Sequence, residues 1–235
     1  MKTVVMVPTY NEKENIIPLI DRINSLGIKE LDILVADDNS PDGTWKLVEE
    51  KKESAKNLHL LRRFNDRGRG FAEVDGFREA LRLGASRIIV MDADFSHDPS
   101  HIPDLLEASE NADIVLGSRF VEGGKLERQS KTRNIITRMA HRYLNLALGY
   151  RGIKDPTSGY RCLRRKTLDI IKYQTLRAPD PFIVTEVLYR CYSSGLKIAE
   201  VPITFRDRAA GKTKLGSRNL IKYLFRVMRL RLNRY

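Results

Sequence analysis

Five short apolar runs in the first half of the chain predict buried β-strands. The runs are residues 3–7, 31–36, 58–61, 88–91 and 114–116. Residues 88–91 and 114–116 are continuously apolar, and the other runs contain one polar residue each, Thr3, Asp32 or His59. Short runs of this composition are typical of strands that are covered on both faces, as in a parallel sheet flanked by helices. The first run ends at Pro8, which has no N–H group for a sheet ladder. We therefore expect five strands of one buried sheet.

Helical segments are predicted between these runs. One helix is expected from about Lys13, with Asn11 as its N-cap, and a second helix from about Thr44. Residues 74–83 carry apolar side chains at helical spacing and predict a third helix before the fourth strand. Strands and helices thus alternate in units of about 30 residues, which is typical of βαβ topology. The predicted fold is a single α/β domain with a mostly parallel, doubly wound sheet.

Two acidic residues, Asp92 and Asp94, directly follow the fourth predicted strand. Ligands of open α/β sheets bind beyond the carboxyl ends of the strands, and alternation along an extended chain places both carboxylates on the same side. Mg²⁺ characteristically takes one or two protein carboxylates and completes its shell with substrate phosphates. The pair therefore predicts a site for a metal and a diphosphate. The alternative is that one acid caps the helix that starts near Pro99 and the other is a solvated loop residue.

Polar residues also follow the first two predicted strands. A carboxylate such as Glu12 or Asp37 can accept hydrogen bonds from ribose hydroxyls or base N–H groups, and Tyr10 offers a flat apolar surface. These residue types suit a nucleotide. The alternative for the loop after the second strand is a turn and a helix cap, built by Asp38, Asn39 and Asp42.

The glycine pattern excludes one large class of nucleotide-binding enzymes. Residues 8–12, after the first strand, contain no glycine, and Gly68 and Gly70 lack the third glycine of the dinucleotide fingerprint. We therefore expect neither a nicotinamide nor a flavin enzyme.

Composition narrows the class of partner. The 235 residues carry a formal net charge of +12, which implies an anionic partner: nucleic acid, a phospholipid surface or a phosphorylated substrate. Cys162 and Cys191 show no metal-ligand spacing and are expected to be free thiols of a reducing compartment. Nothing at the N-terminus is typical of a signal peptide, and no apolar stretch approaches the ~18 residues of a membrane-spanning helix.

Several motifs together resemble a known family. They are residues 7–12, 37–44, 92–99, 117–119 and 157–161. In this order and over nearly the whole chain they resemble the inverting family 2 glycosyltransferases of the GT-A fold, and within that family the dolichol-phosphate mannose synthases. The resemblance implies transfer of mannose from GDP-mannose to a dolichyl or other polyprenyl phosphate. It also implies Mg²⁺ or Mn²⁺ bound to Asp92 and Asp94, with Ser96 at a position where some relatives have a metal-site Gln.

The resemblance assigns further residues to the site. Nucleotide-sugar contacts are implied for Pro8, Tyr10, Glu12, Asp37, Asp38 and Asp92. Contacts to the acceptor phosphate are implied for Arg119, Arg133 and Thr137. The catalytic set that it implies is Asp94, Arg119, Arg133, Arg208 and Lys214. Arginine offers a bidentate fork for phosphate oxygens and lysine a compact charge, so these roles are physically reasonable.

The same resemblance divides the chain and shows where this sequence departs from its relatives. Residues 1–216 are expected to form the GT-A domain, with residues 205–216 as a mobile basic loop that closes over the diphosphate. Thr213 stands where family members usually have Ser. Ile183 and Val184 stand where relatives commonly have Phe and Gln, which leaves the acceptor site and the sugar open.

Two basic helical stretches are predicted to be amphipathic interface helices. In residues 133–148, one face carries Ile136, Met139, Ala140, Tyr143 and Ala147, and the other carries Arg138, His141, Arg142 and Asn145. In residues 217–235, apolar side chains are interleaved with Lys222, Arg226, Arg229, Arg231 and Arg234. Basic amphipathic helices can lie in the headgroup region of a membrane, so we expect peripheral attachment on the cytoplasmic side, with or without a membrane-anchoring subunit. The alternative is that each helix packs on its own domain.

Two other functions remain open from the sequence. A polyprenyl-phosphate glucosyltransferase that uses UDP-glucose fits nearly as well, because both donors present a ribose and a diphosphate. A non-catalytic nucleic-acid-binding module would also explain the charge. Against it, the positive residues lie mostly in the second half, and the sequence has no recognised DNA-binding motif or aromatic platform for single strands. We therefore predict no nucleic-acid partner.

Overall fold

A seven-stranded sheet forms the centre of the protein in a computed structural model. The structure describes residues 1–127, 131–206 and 217–232, without the side chains of residues 131–133 and 217–221. The strands are β1 (Thr3–Thr9), β2 (Leu31–Asp37), β3 (Leu58–Arg62), β4 (Arg87–Val90), β5 (Ile114–Ser118), β6 (Lys125–Glu127), β7 (Arg161–Arg164), β8 (Ile198–Pro202) and β9 (Thr204–Arg206). The large sheet has the order β3-β2-β1-β4-β7-β5-β8, and β6 pairs with β9 in a small second sheet. All five predicted strands are present.

Eight α-helices and two short 3₁₀ helices, Pro99–His101 and Tyr173–Thr175, complete the described part of the chain. The α-helices are α1 (Ile16–Asn24), α2 (Thr44–Lys52), α3 (Arg69–Arg82), α4 (Ile102–Ala108), α5 (Lys131–Leu148), α6 (Arg165–Ile170), α7 (Ile183–Ser193) and α8 (Ser217–Leu232). Apolar side chains of α1, α2 and α4 form one core with one face of the sheet. Those of α3, α5, α7 and α8 form a second core on the other face. The doubly wound α/β prediction is therefore confirmed.

Only β7 runs against its neighbours in the large sheet. It pairs antiparallel with β4 and with β5, whereas the other pairings of that sheet are parallel. Its first residue, Arg161, is 1 % exposed. The Arg161 guanidinium donates to the backbone oxygens of Ser158 and Val184, each at 2.6 Å. A strand that begins and ends with arginine lacks the apolar pattern of a core strand, so the sequence did not indicate it.

The start of α1 differs from its prediction. The helix begins at Ile16 with Asn15 at the N-cap, and Asn11 is not a cap. Asn11 instead adopts a left-handed conformation with φ of 61°, which Asn tolerates better than most residues. The turn that Asn11 makes extends the loop after β1 before the chain becomes helical.

The two cysteines are free, as predicted, and both are buried. Cys162 lies in β7 and Cys191 lies in α7. Burial raises the pKa of each thiol to about 12. Because the thiolate is the reactive form, both side chains act as small core residues at neutral pH.

The two amphipathic helices pack against the domain and against each other. Leu144 and Leu148 of α5 and Val227 and Leu230 of α8 are buried in the shared core, and the Tyr143 hydroxyl donates to the α8 backbone at Leu224. The predicted faces of α5 were partly wrong. His141, assigned to the polar face, is buried, because it bonds to Thr157 of the domain. Ile136 and Met139, on the predicted apolar interface face, are 55 % and 63 % exposed, and this part of the prediction is not contradicted.

None of the helices that the structure describes has the length and apolar character needed to cross a bilayer.

Candidate active site at the carboxyl ends of the parallel strands

Parallel pairing brings the predicted nucleotide and metal residues to one edge of the sheet. Thr9 at the end of β1 is paired with Asp37 at the end of β2. On the other side of β1, β4 runs parallel to it, and the Met91 N–H donates to the Met6 carbonyl. Asp92 therefore emerges from the sheet beside the loop that follows β1. This is the edge at which open α/β sheets bind ligands.

The two acids after β4 are half-buried and already held in place. A guanidinium N–H of Arg69 donates to Asp92 Oδ1, and the backbone N–H of Asp92 donates to His97 Nδ1 at 3.0 Å. Asp94 Oδ1 accepts from the backbone N–H of Ser96 at 3.1 Å. Neither acid caps the next helix, because Asp98 accepts the N–H of Ser100 at 2.9 Å and supplies that cap.

His97 is a neutral part of this arrangement. It is 2 % exposed and stacks on Tyr160 with ring centroids 4.9 Å apart. Burial lowers its pKa, and a neutral ring can accept the Asp92 N–H at Nδ1 only with its proton on Nε2. The ring therefore fixes the backbone at the first acid.

The donor set at this edge fits a hard divalent cation. Asp92 and Asp94 supply carboxylate oxygens, and Ser96, which is 2 % exposed, adds a hydroxyl to the same turn. Within the described residues, no group of three or more His, Cys, Asp or Glu side chains is placed to hold a metal. Two carboxylates alone are an incomplete shell, and the phosphate oxygens of a substrate suit the remaining positions for Mg²⁺.

The acids after β2 organise the neighbouring loops. Asp37 is fully buried and accepts from the Thr9 hydroxyl at 2.9 Å and from the Ser40 backbone and hydroxyl at 2.8 and 2.7 Å. Asp38 forms an ion pair with Arg63 and accepts the Gly68 N–H at 2.8 Å. Both acids thus tie the β2 loop to its neighbours. Nucleotide contacts by Asp37 and Asp38 stay predictions.

Asn39 and Asp42 have the structural roles that the turn interpretation assigned to them. Asn39 is left-handed, with φ of 53°, and its side-chain oxygen accepts from Arg62 at 2.7 and 2.9 Å. Asp42 accepts from the Thr44 N–H at 2.9 Å, at the start of α2.

Residues after β1 line the same edge. Tyr10 is 45 % exposed, and the Arg67 guanidinium lies 5.5 Å from its ring centroid. Pro8 and Glu12 are half-buried, and Glu12 Oε2 accepts from the Asn15 side chain at 2.8 Å. An open cleft of about 580 Å³ adjoins this loop and is lined by residues that include Lys13, Asn39, Trp45, Arg62 and Arg67. Asp92, Asp94 and Arg119 lie outside that cleft.

Arg119 follows β5 and is held by a buried network. Its guanidinium donates to both oxygens of Asp155, each at 2.6 Å, and to the Thr157 hydroxyl at 2.8 Å. Its backbone N–H also donates to Asp155 at 3.0 Å. Asp155 is fully buried. The carboxylate therefore sets the orientation of the arginine that the resemblance places at the acceptor phosphate.

The sequence pattern did not identify Asp155 and His141 as residues of this site. Asp155 lies two residues before the 157–161 motif, where a single acid in a loop carries no distinctive pattern. His141 Nε2 lies 2.8 Å from the Thr157 hydroxyl and 3.6 Å from Asp155. Neither role follows from spacing, because α5 meets this loop only in the folded chain.

The remaining predicted residues are partly outside the description. Thr137 is half-buried on α5. The side chain of Arg133, and the whole of Arg208 and Lys214, lie outside the described residues. Phe205 and Arg206 belong to β9, so these two residues are not part of a loop as predicted for 205–216. Residues 207–216 lie outside the description.

His141 should make stability depend on pH. Burial is the largest cause that lowers its pKa to about 4. The folded pKa lies below the usual value near 6.5, so the stabilisation is complete above pH 6.5 and is lost as the pH falls towards 4. Relative to His141→Gln, the wild-type protein should lose about 3 kcal/mol of unfolding free energy between pH 7 and pH 4. Urea unfolding at several pH values measures this difference.

His59→Gln is the control for that experiment. His59 is half-buried against Asp32, far along the chain from the Arg119 network. His59→Gln makes the same imidazole-to-amide change outside that network, so a pH effect specific to His141→Gln is assigned to the network. A His141→Gln curve parallel to the wild-type curve would show that His141 is not held neutral.

Comparison with known proteins decides the family. The family model for glycosyl transferase family 2 matches residues 4–171 of this chain. The chain belongs to glycosyl transferase family 2. It is a glycosyltransferase with the GT-A type of fold, and the interpretation as a non-catalytic nucleic-acid-binding module is set aside.

Three curated relatives of this family 2 glycosyltransferase cover nearly its whole length. The polyprenol monophosphomannose synthase of Mycolicibacterium smegmatis is 36 % identical over 96 % of this chain and 85 % of its own. The dolichol-phosphate mannosyltransferase of Pyrococcus furiosus is 39 % identical over 98 % of this chain and 64 % of its own. The undecaprenyl-phosphate mannosyltransferase of Micrococcus luteus is 36 % identical over 92 % and 88 %.

Solved structures agree with the fold. A glucosyl-3-phosphoglycerate synthase from Mycobacterium tuberculosis, solved with Mn²⁺, uridine diphosphate and its product, aligns with a TM-score of 0.68 and 21 % identity. The alignment covers 98 % of this chain and 78 % of that one. At this identity the likeness establishes the fold alone.

Proposed function

We propose that this family 2 glycosyltransferase transfers mannose from GDP-mannose to a dolichyl or other polyprenyl phosphate, with inversion at the anomeric carbon and with Mg²⁺ or Mn²⁺. The proposal is supported by the names of three relatives, all of which are mannosyltransferases of a polyprenol or its phosphate. The observation that carries it is the pair Asp92 and Asp94 at the sheet edge, next to His97 and Arg69. A related fold holds Mn²⁺ with a nucleoside diphosphate, which agrees with the metal in this proposal.

The site separates two tasks. Asp92, Asp94 and Ser96 would hold the divalent cation, which when bound would neutralise the leaving diphosphate. Arg119, fixed by Asp155, would bind phosphate oxygens of the acceptor. Arg133, Arg208 and Lys214 are proposed to add positive charge around the two phosphate groups, which otherwise repel each other. In this division the acidic residues bind the cation, and the basic residues bind and orient the phosphate groups.

A donor screen tests this function. Purified protein would be offered GDP-mannose, GDP-glucose, UDP-glucose and UDP-mannose, each with a short polyprenyl phosphate and Mg²⁺ or Mn²⁺. We expect a lipid-linked mannose from GDP-mannose alone. A lipid-linked glucose from UDP-glucose, with no product from GDP-mannose, would contradict the proposed donor and favour a polyprenyl-phosphate glucosyltransferase.

The proposed reaction has a nucleophile that needs no protein base. A polyprenyl phosphate is largely ionised at neutral pH, because the second pKa of a phosphate monoester is about 6. Its oxygen can attack the anomeric carbon as the bond to the diphosphate breaks, so the electron pair of that bond leaves with GDP. Positioning and electrostatic stabilisation of the diphosphate then supply the rate. We therefore propose a single displacement without a glycosyl-enzyme intermediate.

The free alcohol is the substrate that tests this mechanism. Polyprenol has the same chain as the phosphate but a hydroxyl of high pKa, so we expect its glycosylation at neutral pH to be slower by roughly 10³-fold or more, given the effect of one general base and of lost phosphate contacts. Product formation from equal concentrations of the two acceptors measures the ratio. Comparable rates would show that a protein base exists.

The α5 and α8 helices are proposed to hold the enzyme at the membrane surface that carries the acceptor. They present large apolar side chains to solvent: Ile135, Ile136, Met139, Leu146, Phe225, Met228 and Leu232. Lys222 and Arg229 of α8 are exposed beside them. An apolar strip flanked by cations suits the headgroup region of an anionic bilayer.

Charge reversal on α8 should weaken this attachment. Arg231 donates to the Leu148 carbonyl at 3.0 Å and Arg226 pairs with Asp180 at 2.6 Å, so Arg229 is the better residue to change. Arg229→Glu should lower the affinity for anionic vesicles roughly tenfold or more, since each cation contributes about 1 kcal/mol near the headgroups. Flotation with vesicles measures it. Lys56→Glu, an exposed change before β3, is the control, and equal flotation of all three proteins would contradict the proposal.

A further inference from the structure

Arg69 occupies a position that the proposed reaction does not explain. It is the first residue of α3, and its side chain is only 21 % exposed. One guanidinium N–H donates to Asp92 Oδ1, and Nε lies 3.9 Å from Glu73. Gly159 lies over the other side, because a Cβ atom there would lie 2.9 Å from Arg69 Nη2. The guanidinium is therefore enclosed directly behind the first of the two acids.

Arg69 lies at the N-terminus of a helix, which is an electrostatically unfavourable position for a cation. The N-terminus of a helix carries a partial positive charge and favours anions, so an arginine at the first position of α3 needs compensation. Asp92 supplies it by direct contact, whereas Glu73 is 2 % exposed, lies 3.9 Å from Arg69 Nε and has its pKa raised by burial, which disfavours its charged form. Arg69 Nε and Nη2 are buried and have no hydrogen-bond acceptor among the described residues. The ion pair with Asp92 therefore carries most of the compensation.

The close packing leaves Arg69 little room to move away. Gly68 has φ of 143°, and a Cβ at Gly70 would collide with the carbonyl oxygen of Ala178. The Gly70 N–H donates to the Pro179 carbonyl at 3.1 Å. The absence of side chains at Gly68 and Gly70 thus lets the first turn of α3 pack closely against residues 178–179. Arg69 lies between these two glycines, so its backbone has little freedom to move away from Asp92.

We propose that Arg69 is a resident counter-cation of Asp92, a positioning residue that orients this acid and keeps the divalent-cation affinity low until a nucleoside diphosphate binds. The inference rests on the proposed function of the site. A divalent cation that approaches Asp92 meets a fixed positive charge in contact with the same carboxylate, and the repulsion is strong where water is excluded. The negative diphosphate offsets that charge. Cation and nucleotide then bind cooperatively, each raising the affinity for the other by the same factor.

Manganese binding measures this directly and does not depend on turnover. Electron paramagnetic resonance counts free Mn²⁺ in solutions of the protein, alone and with saturating GDP or UDP. The variant Arg69→Met/Glu73→Gln removes the cation together with the buried acid that it would leave unpaired. Arg69→Gln is a second neutral variant that retains a hydrogen-bond donor for Asp92. Circular dichroism and thermal melting identify which of the two is folded.

The expected result is a gain of binding. Without nucleotide, a folded neutral variant should bind Mn²⁺ at least tenfold more tightly than the wild-type protein, and the cooperativity with GDP should fall by the same factor. Arg69→Lys, which keeps the charge, should remain within about threefold of wild type. Arg78→Met, an exposed change on the same helix, should have no effect. A merely structural role for Arg69 would weaken Mn²⁺ binding, so it cannot produce the expected gain.

Two outcomes overturn the inference, and they are distinguishable. If neither GDP nor UDP raises the affinity of the wild-type protein for Mn²⁺, the assignment of the diphosphate site is wrong, and the proposed function fails with it. If GDP promotes Mn²⁺ binding but the neutral variants show unchanged or weaker affinity, or Arg69→Lys gains as much as they do, only the role of Arg69 fails.

Discussion

Asp94→Ala should abolish mannosyl transfer and the metal-dependent binding of GDP while the protein stays folded. Asp94 is half-buried at the end of a turn, where Oδ1 accepts the Ser96 N–H at 3.1 Å. Losing this carboxylate removes half of the protein's acidic ligands for the proposed cation. Electrostatic groups that stabilise a developing negative charge are each typically worth roughly 10²–10³ in rate, and here the cation would be lost as well. We therefore expect a fall of at least roughly 10³-fold in kcat/KM.

The measurement pairs initial rates with calorimetric titration of GDP in Mn²⁺ and in chelator. Asp104→Ala, an acid of α4 with 56 % of its side chain exposed, is the matched control and should keep wild-type activity. Thermal melting within a few degrees of wild type would establish that Asp94→Ala is folded. Activity that survives in Asp94→Ala, or in excess chelator, would refute the metal assignment.

Asp155→Asn should be the most destabilising single change around the site. The Asp155 carboxylate is fully buried and pairs with an Arg119 guanidinium that is 7 % exposed. Removing one partner of a buried ion pair leaves an uncompensated charge and costs about 3–5 kcal/mol. Because Arg119 also loses its orientation, we expect the acceptor KM to rise in whatever fraction remains folded. Urea unfolding at pH 7 measures the loss of stability relative to the wild-type protein.

Asp180→Asn is the comparison for this prediction. Asp180 and Arg226 form an ion pair at 2.6 Å, but their side chains are 49 % and 35 % exposed, and a solvated pair contributes only about 0–1 kcal/mol. Burial raises the pKa of Asp155, but hydrogen bonds and the charge of Arg119 together outweigh it and hold that pKa below its usual value. The contribution of Asp155 to stability is therefore present above about pH 4 and is lost in stronger acid. The loss of unfolding free energy caused by Asp155→Asn should therefore be smaller below about pH 4 than at pH 7. Equal costs for both variants at pH 7 would contradict the buried-pair argument.

Most fold predictions that depend on local sequence pattern were confirmed, and those that depend on contacts between distant residues failed. The apolar runs predicted the five central strands because a strand that is buried on both faces needs apolar side chains on both faces. They did not predict β7, since Arg161 is buried by donating to backbone oxygens of Ser158 and Val184. Helical periodicity correctly predicted α3 through Phe77 and Ala80. It assigned His141 to the wrong face of α5, because the partner of His141 is Thr157, a residue of a distant loop.

The sequence alone determined the fold class, the edge of the sheet at which the candidate site lies and the two acids that follow β4. These depend on local pattern and on the order of motifs along the chain. Only the tertiary structure decided which charges compensate one another. Arg69 meets Asp92, and Arg119 meets Asp155, across 23 and 36 residues of sequence. A buried ion pair is stable only when both partners lose water together, and that condition exists in the packed chain rather than in any segment of it.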